Sequence, residues 1–120
     1  RRDVIYNGTD AREFRLAVTM WISLLDDMEQ VLQQHNWLVG DSYTIADVAY
    51  TPYLTRLEHL HVLGFISDKP RVADWYDRIK GRPSYQLGIT DWLDQDYLPL
   101  MAEKGEEAWP RVEALIREAT

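Results

Sequence analysis

One short segment, residues 43–48, constrains the fold of this chain more than any other. It reads Tyr-Thr-Ile-Ala-Asp-Val, and Thr44 and Asp47 have the spacing of a capping box. In that motif the threonine hydroxyl accepts a hydrogen bond from the amide three residues on, and the acid at that position accepts one from the threonine amide. Tyr43 and Val48 occupy the positions of a hydrophobic staple, which fixes the angle at which the chain enters a helix. The segment therefore predicts a helix that begins directly after the threonine.

The helix that follows the capping box is apolar on nearly every side. Between Ile45 and about Val62, only Thr51 and Thr55 interrupt the apolar residues before Arg56, apart from Asp47 of the capping box. A helix without a polar face is a buried one, so we expect this helix at the centre of the molecule.

Three residues or segments are expected to shape the surroundings of this central helix. Pro52 lacks the amide that would bond to the carbonyl four residues earlier, which predicts a kink. Gly64 is expected to close the helix at the position after its C-cap. The apolar plug Trp37-Leu38-Val39, followed by a Gly-Asp turn, is expected to anchor the preceding loop under the helices.

Periodicity predicts a long helix before the central one, over residues 10–34, with Thr9 or Asp10 as its N-cap. Its apolar residues recur at intervals of three and four and define one stripe: Phe14, Ala17, Trp21, Leu24, Met28 and Val31. Residues 1–9 are expected to form a connecting segment.

Helices are also expected after the central one. Pro70 and Gly81 have the positions of a first helical residue and a terminator. Between them lies an apolar stripe of Val72, Trp75, Tyr76 and Ile79. Further helices are expected over residues 84–89, 91–102 and 109–119, with a bend at Pro99. Because no segment alternates convincingly at period two, we predict an all-α fold, with residues 10–120 forming one helical bundle around a central buried helix.

Composition excludes several classes of function. The chain has 120 residues, with 13 basic and 20 acidic side chains and a net charge of −7, which argues against a nucleic-acid groove and against docking on an anionic membrane. It contains no cysteine, so disulfides, thiolate chemistry and cysteine-bound metals are excluded, and a reducing compartment such as the cytoplasm is expected. The uncharged, mainly apolar stretch from Leu16 to Leu25 is too short to cross a bilayer.

No catalytic residue and no metal site can be assigned from these residues. His59 and His61 are two positions apart on a helix and point to different sides, so they cannot chelate one ion. His35 has the position of a helix-end residue. No nucleophile elbow, phosphate loop or dinucleotide fingerprint is present. Asp47 has a structural role on this interpretation, and the alternative is a buried carboxylate that contacts a ligand.

Two segments together resemble the C-terminal domain of glutathione S-transferases. Residues 37–48, W-L-V-G-D-S-Y-T-I-A-D-V, combine the apolar plug, Gly-Asp and the capping box with its staple, as in the folding signature of that family. Residues 69–85, K-P-R-V-A-D-W-Y-D-R-I-K-G-R-P-S-Y, resemble the helix and Arg-Pro-Ser turn that usually follow in bacterial-type members. The resemblance covers residues 10–90, and the tail from residue 91 is too variable in that family to compare.

The resemblance implies a role within a larger enzyme. A complete member also has an N-terminal thioredoxin-like domain, which binds glutathione and supplies the catalytic residue, and these 120 residues contain no counterpart of it. We therefore expect the C-terminal part of a longer, homodimeric, cytoplasmic transferase of the detoxification type. The helix over residues 10–34 resembles the second helix of the family domain, so part of its apolar stripe is expected to face a neighbour outside this sequence.

Candidate site residues also follow from the resemblance. The bundle would brace the glutathione-binding domain and form one wall of an apolar site for a small hydrophobic electrophile, either for thiol conjugation or for glutathione-dependent ether cleavage. Residues 91–120 correspond in position to the family's C-terminal lid, which makes Trp92, Tyr97 and Leu98 candidate substrate-binding residues. Tyr50 and Tyr53 on the central helix are further candidates. Core packing is the alternative role for each of the five.

Two other interpretations stay open at this point. The first is a non-catalytic protein-interaction module, because domains that resemble this one hold partners together in translation factors and synthetase complexes. The second is a helical bundle of unrelated function, which the absence of a capping box at Thr44 and Asp47 would favour.

Overall fold

The computed structural model describes residues 2–119. Regular structure among these residues is helical, which confirms the predicted all-α class. Six α-helices follow one another along the chain: α1 (Arg2–Asn7), α2 (Arg12–Gln34), α3 (Ile45–His59), α4 (Pro70–Lys80), α5 (Pro83–Gly88) and α6 (Tyr97–Ala119). Short 3-10 turns lie at Gly8–Asp10, Leu63–Ile66 and Thr90–Trp92. Arg1 and Thr120, the outer ends of the two predicted segments 1–9 and 10–120, lie outside the described residues.

The core lies between α2, α3, α4 and the second half of α6. Its most deeply buried apolar side chains are at most 2% exposed: Leu25, Leu54, Val72, Trp75, Tyr76 and Ile79. The buried side of α2 is formed by Val18, Leu25, Met28 and Leu32, so it is rotated relative to the predicted stripe. Leu25 was not assigned to that stripe, and Val31, which was, is exposed. Three residues of the predicted stripe, Phe14, Trp21 and Leu24, pack against the edge of this core and are only partly buried.

The beginning of α3 has the predicted geometry. The Ala46 amide donates to Thr44 Oγ1 at 3.3 Å, and the Thr44 amide donates to Asp47 Oδ2 at 2.9 Å. Tyr43 packs edge-on against Trp37, with ring centroids 5.2 Å apart. Val48 is 49% exposed, and its stapling contact with Tyr43 stays a prediction.

The end of α3 differs from the prediction. The helix stops at His59, and His61 adopts the left-handed backbone conformation, with φ of 57°, that was expected of Gly64. Gly64 instead lies in the following 3-10 turn, where a Cβ atom would be 2.3 Å from the Trp109 ring. This glycine is therefore required for close packing against α6.

One side of α3 is buried and the other is open, although the sequence predicted burial all round. Asp47, Leu54 and Leu57 face the core, whereas Ile45 is 84% exposed and Tyr53 is 49% exposed. Apolar composition on every side of a helix indicates that each side is covered in the functional protein. Among residues 2–119, the side of α3 that carries Ile45 and Tyr53 is left largely open.

The C-terminal part of the chain forms one long helix where two were predicted. Pro99 is the third residue of α6, where the backbone amide has no partner within the helix, so it neither bends nor ends the helix. Pro110 lies inside α6. The predicted start at Asp91 corresponds to the separate 3-10 turn at Thr90–Trp92.

Two helix starts are capped by carboxylates from other elements. Residues 2–7, predicted as part of a connection, form α1, and its Asp3 carboxylate accepts from the Arg12 amide at 3.0 Å. The N-cap residue of α2 is Ala11, so the predicted caps Thr9 and Asp10 are wrong. Capping by Asp3 compensates, because Ala11 has no side-chain acceptor.

The start of α4 is held in the same way. It begins at Pro70, as predicted, and ends before Gly81. The Glu29 carboxylate of α2 accepts from the amides of Arg71 at 3.1 Å and Val72 at 2.9 Å. A carboxylate at a helix N-terminus also interacts favourably with the helix dipole, so this contact fixes α4 against α2.

Candidate functional site

One groove of the molecule is lined by apolar and aromatic side chains of α2 and α3. It encloses about 410 Å³ between Ala17, Met20, Trp21 and Leu24 of α2 and Tyr50 and Tyr53 of α3. We refer to it as the aromatic groove. The Tyr53 ring packs edge-on against Trp21 at 5.7 Å and lies 5.9 Å from Tyr50, measured between ring centroids. Such a surface suits a flat, apolar ligand or a second apolar surface.

The aromatic groove opens onto apolar residues that this chain leaves exposed. Met20 is 72% exposed and Leu16 is 48% exposed on α2, next to the half-exposed Tyr50 and Tyr53. A contiguous apolar patch bordered by polar residues marks an interaction site. We refer to these residues, together with the exposed Ile45 on α3, as the open apolar face. Leu16 and Met20 are not members of the predicted α2 stripe, and the expectation that part of that stripe faces an outside neighbour stays a prediction.

The five sequence-predicted site residues do not share one site. Tyr50 and Tyr53 line the aromatic groove. Tyr97 and Leu98 line a different groove of about 240 Å³, between Thr55, Arg56 and His59 on α3 and the segment 89–101. We refer to this second one as the tail groove.

Trp92 lies in neither groove. Its side chain is 81% exposed, and its Nε1–H donates to the Leu87 carbonyl at 2.8 Å, which fixes the ring outward. Its role in substrate binding stays a prediction.

The Asp47 carboxylate is fully buried and surrounded by donors from three segments. Oδ1 accepts from the Leu38 amide at 3.0 Å and from Trp75 Nε1 at 2.8 Å, and Oδ2 accepts from the Thr44 amide at 2.9 Å. Asp47 has no exposed surface that a ligand could reach. The geometry thus assigns it to structure, and the bond to Trp75 is a partner that sequence reasoning missed.

A second polar cluster lies behind the tail groove. The buried Thr55 hydroxyl is 3.0 Å from Tyr85 Oη and 3.3 Å from Tyr76 Oη, and Tyr76 also donates to Glu58. Burial, followed by the hydrogen bond to Glu58, raises the pKa of Tyr76 above its ordinary range. Tyr76 is therefore a neutral hydroxyl that links α3 to α4. Spacing alone assigned it to the apolar stripe and gave no indication of these partners.

Residues 2–119 contain neither a metal-binding cluster nor a membrane-spanning helix. Within that part of the chain, no group of three or more histidine or acidic side chains is arranged to hold a metal ion. None of the described helices combines the length and apolarity needed to cross a bilayer. The three histidines lie apart, and His61 pairs with Glu106 at 2.8 Å.

Comparison with protein families identifies the architecture. The model of the glutathione S-transferase C-terminal domain matches residues 13–78, which is more than half of the chain. The chain belongs to this family. The glutathione S-transferase match spans α2, α3 and most of α4, so it includes the aromatic groove and the whole Asp47 hydrogen-bond set.

Three relatives illustrate the similarity, and two of them have names that mention glutathione. Tetrachloro-p-hydroquinone reductive dehalogenase of Sphingobium chlorophenolicum is 34% identical over 62 residues, which cover 52% of this chain and 25% of the relative. Glutathionyl-hydroquinone reductase YqjG of Escherichia coli is 31% identical over 106 residues, covering 80% of this chain and 32% of the relative. A glutathione S-transferase of Hyoscyamus muticus is 32% identical over 66 residues, covering 55% of this chain and 31% of the relative.

The glutathione S-transferase relatives are much longer than this chain. The chain spans no more than about a third of the length of the three named relatives, at 25%, 32% and 31%. No solved structure gave a significant match.

Proposed function

We propose that this chain is the C-terminal part of a glutathione-dependent enzyme, in which it braces a thioredoxin-like domain and supplies one wall of the site for the electrophilic substrate. The observation that carries the proposal is the open apolar face, which leaves Met20, Tyr50 and Tyr53 exposed in a chain of the glutathione S-transferase family. A second domain that covered this face would turn the aromatic groove into a pocket between domains, a common place for a ligand site.

The substrate class follows from the lining of the aromatic groove. Trp21, Tyr50 and Tyr53 present ring faces and edges to a flat ligand, and the groove contains no charged side chain. A small aromatic electrophile fits this surface, and two of the named relatives bear the names of enzymes that act on hydroquinones. We therefore place small aromatic electrophiles, including quinone-derived ones, first among the substrates.

The chemistry requires glutathione as co-substrate, bound mainly by the thioredoxin-like domain. Its thiolate would be stabilised by a donor from that domain, since this chain contains no cysteine and no catalytic residue has been assigned to it. In conjugation to an aryl halide, a sulfur–carbon bond forms and the halide leaves with its electron pair. In ether cleavage, the same attack expels an alkoxide or phenoxide. The aromatic groove would exclude water from the attacked carbon.

The remaining elements of the proposal concern the whole protein. We propose a cytoplasmic homodimer with a role in detoxification, whose partners are the thioredoxin-like domain of the same chain and a small hydrophobic electrophile. Tyr97 and Leu98, which the sequence placed in a lid, are not part of the wall proposed here and are treated with the tail groove below.

The test uses the complete protein. We expect it to bind immobilised glutathione, to be eluted by free glutathione and to conjugate an activated aryl halide. Tyr53→Ala should raise KM for the aryl halide by about tenfold, which corresponds to about 1.4 kcal/mol of lost ring contact, while KM for glutathione stays unchanged. The control is Val39→Ala, since Val39 is equally apolar, 68% exposed and outside both grooves.

Two outcomes would contradict the proposal. The first is a protein that neither binds glutathione nor turns over any electrophile but co-purifies with a stable macromolecular partner, which is the behaviour of an interaction module. The second is an active enzyme in which Tyr53→Ala and Val39→Ala have the same KM for the electrophile, which would move the site away from the aromatic groove.

A further inference from the structure

The tail groove lies on a different side of α3 from the aromatic groove. At 3.6 residues per turn, the positions of Thr55, Arg56 and His59 are rotated by roughly 140° about the helix axis from those of Tyr50 and Tyr53. Residues of this chain form both walls, from α3 and from the segment 89–101. A ligand site here would therefore need no second domain to complete it.

One wall of the tail groove is apolar. It is lined by Ile89, Leu93, Leu98 and Met101. Leu93 lies just before α6, and Leu98 and Met101 lie in the first two turns of α6. With about 240 Å³ of space, the groove is smaller than the pockets that hold drug-sized ligands. It has room for a molecule built on a single ring.

The facing wall carries basic side chains that lack acidic partners. Arg56 and His59 are three positions apart on α3, which places them next to each other on the helix surface. Among residues 2–119 neither forms an ion pair, and the hydrogen bond of Arg56 is to the weak acceptor Met101 Sδ at 3.5 Å. Other basic side chains, such as Arg15, Lys69, Arg78 and Lys80, do pair with acids, whereas the polar atoms of Arg56 and His59 are left for a ligand.

Two further polar groups and one acidic side chain line the tail groove. The Tyr97 phenol lies at its edge, and the buried Thr55 hydroxyl lies at its inner end, where it is already bonded to Tyr85 at 3.0 Å. Asp94 also lines the groove, but its Oδ1 accepts from the Asp96 amide at 2.9 Å and so caps the turn before α6. The remaining donors are those of Arg56, His59 and Tyr97.

We propose that the tail groove binds a small aromatic acid, with its ring on the apolar wall and its carboxylate on Arg56 and His59. A guanidinium presents two parallel donors to a carboxylate, which is the strongest polar match that an exposed side chain offers. The imidazole of His59 and the Tyr97 hydroxyl supply further donors to the same carboxylate. This assignment goes beyond the proposed electrophile wall and does not depend on glutathione.

The experiment compares a charged ligand with its neutral isostere on the complete protein. Binding of 4-fluorobenzoate and of 4-fluorobenzamide is followed by fluorine NMR of the ligand, without glutathione. We expect the benzoate to bind at least tenfold more tightly than the benzamide. Arg56→Gln should remove that preference, and Leu98→Ala should weaken both ligands to the same extent. Arg71→Gln is the control, because Arg71 is exposed on α4 and outside the groove.

The site is overturned if neither ligand binds, if the two bind equally, or if Arg71→Gln weakens benzoate as much as Arg56→Gln does. His59→Gln is a second, independent variant, for which we expect benzoate affinity to fall severalfold and benzamide affinity to stay unchanged. Unaltered thermal unfolding of each variant shows that the change is local. None of these measurements uses glutathione or an electrophile. The proposal for the tail groove can therefore be wrong while the proposed function is right, and the proposed function can be wrong while the tail groove binds its ligand.

Discussion

The carboxylate of Asp47 holds three parts of the chain together. It accepts one hydrogen bond from the loop at Leu38, one from the helix start at Thr44 and one from Trp75 on α4. Each donor is on a different element, and the acceptor is fully buried. Removing the acid therefore leaves several buried donors without a partner, whereas removing the threonine removes one cap.

Asp47→Ala should lower the free energy of unfolding by more than about 3 kcal/mol, because each unsatisfied buried donor costs about 1 to 3 kcal/mol. Thr44→Ala should cost about 1 kcal/mol, the usual value for a lost N-cap. Urea denaturation of the complete protein measures both, and Asp41→Ala is the exposed control. Equal losses for Asp47→Ala and Thr44→Ala would show that the acid acts only as a cap.

The backbone at the C-cap of α3 lies very close to α6 at Gly105. A Cβ atom on Gly105 would lie 1.6 Å from the carbonyl oxygen of Leu60, which is backbone and cannot turn aside. Gly88 provides a contrast, because a Cβ atom there would meet nothing within 4 Å. Both are helical glycines, so their propensities are comparable and the surroundings decide the effect of substitution.

Gly105→Ala should destabilise the protein by about 2 kcal/mol or more, because the clash exceeds the gain of about 1 kcal/mol in helix propensity. Gly88→Ala should be neutral or stabilising. Thermal unfolding of the two variants measures the difference. A Gly105→Ala protein as stable as Gly88→Ala would mean that α6 can move away from α3 without cost.

Elements that depend on a few neighbouring residues could be predicted from sequence. The capping box at Thr44 and Asp47 and the boundaries of α4 at Pro70 and Gly81 are of this kind. The continuity of α6 was missed, because a proline in the first turn has a different effect from one in the middle, and sequence did not locate that first turn.

Contacts between elements could not be predicted, even where the residues were noticed. Tyr50 and Tyr53 were candidates, but their partner Trp21 was assigned to the core, since its spacing on α2 is the same as that of buried residues. The capping of α4 by Glu29 leaves no local pattern, because the two elements are joined only by the fold. Arg56 and His59 form a candidate site only together with the segment 89–101, which the fold places opposite them.

For the molecule as a whole, the open apolar face is the feature least consistent with a surface that faces water. Met20 is 72% exposed, and Ile45 and Tyr53 are also exposed, although the same chain buries a full aromatic core. If these residues faced water in the complete protein, substitutions would be nearly neutral. If another domain covers them, as we propose, a charge placed there loses its hydration.

Met20→Glu should therefore lower the free energy of unfolding of the complete protein by at least about 2 kcal/mol, because a charge would be buried without a partner. Val39→Glu, at a position that is 68% exposed, should change it by no more than about 0.5 kcal/mol. Chemical denaturation monitored by tryptophan fluorescence compares the two. Equal, small effects would show that the face is uncovered.

The hydrogen bonds to Asp47 can form only in a certain order while the chain is synthesised on the ribosome. Trp75 lies 28 residues after Asp47, so the last donor emerges well after the carboxylate that it serves. Until Trp75 has emerged, the start of α3 has its local cap but lacks the hydrogen bond from α4. We expect a nascent chain that pauses in this interval to expose that start to proteases and chaperones, and to become resistant only when α4 has been completed.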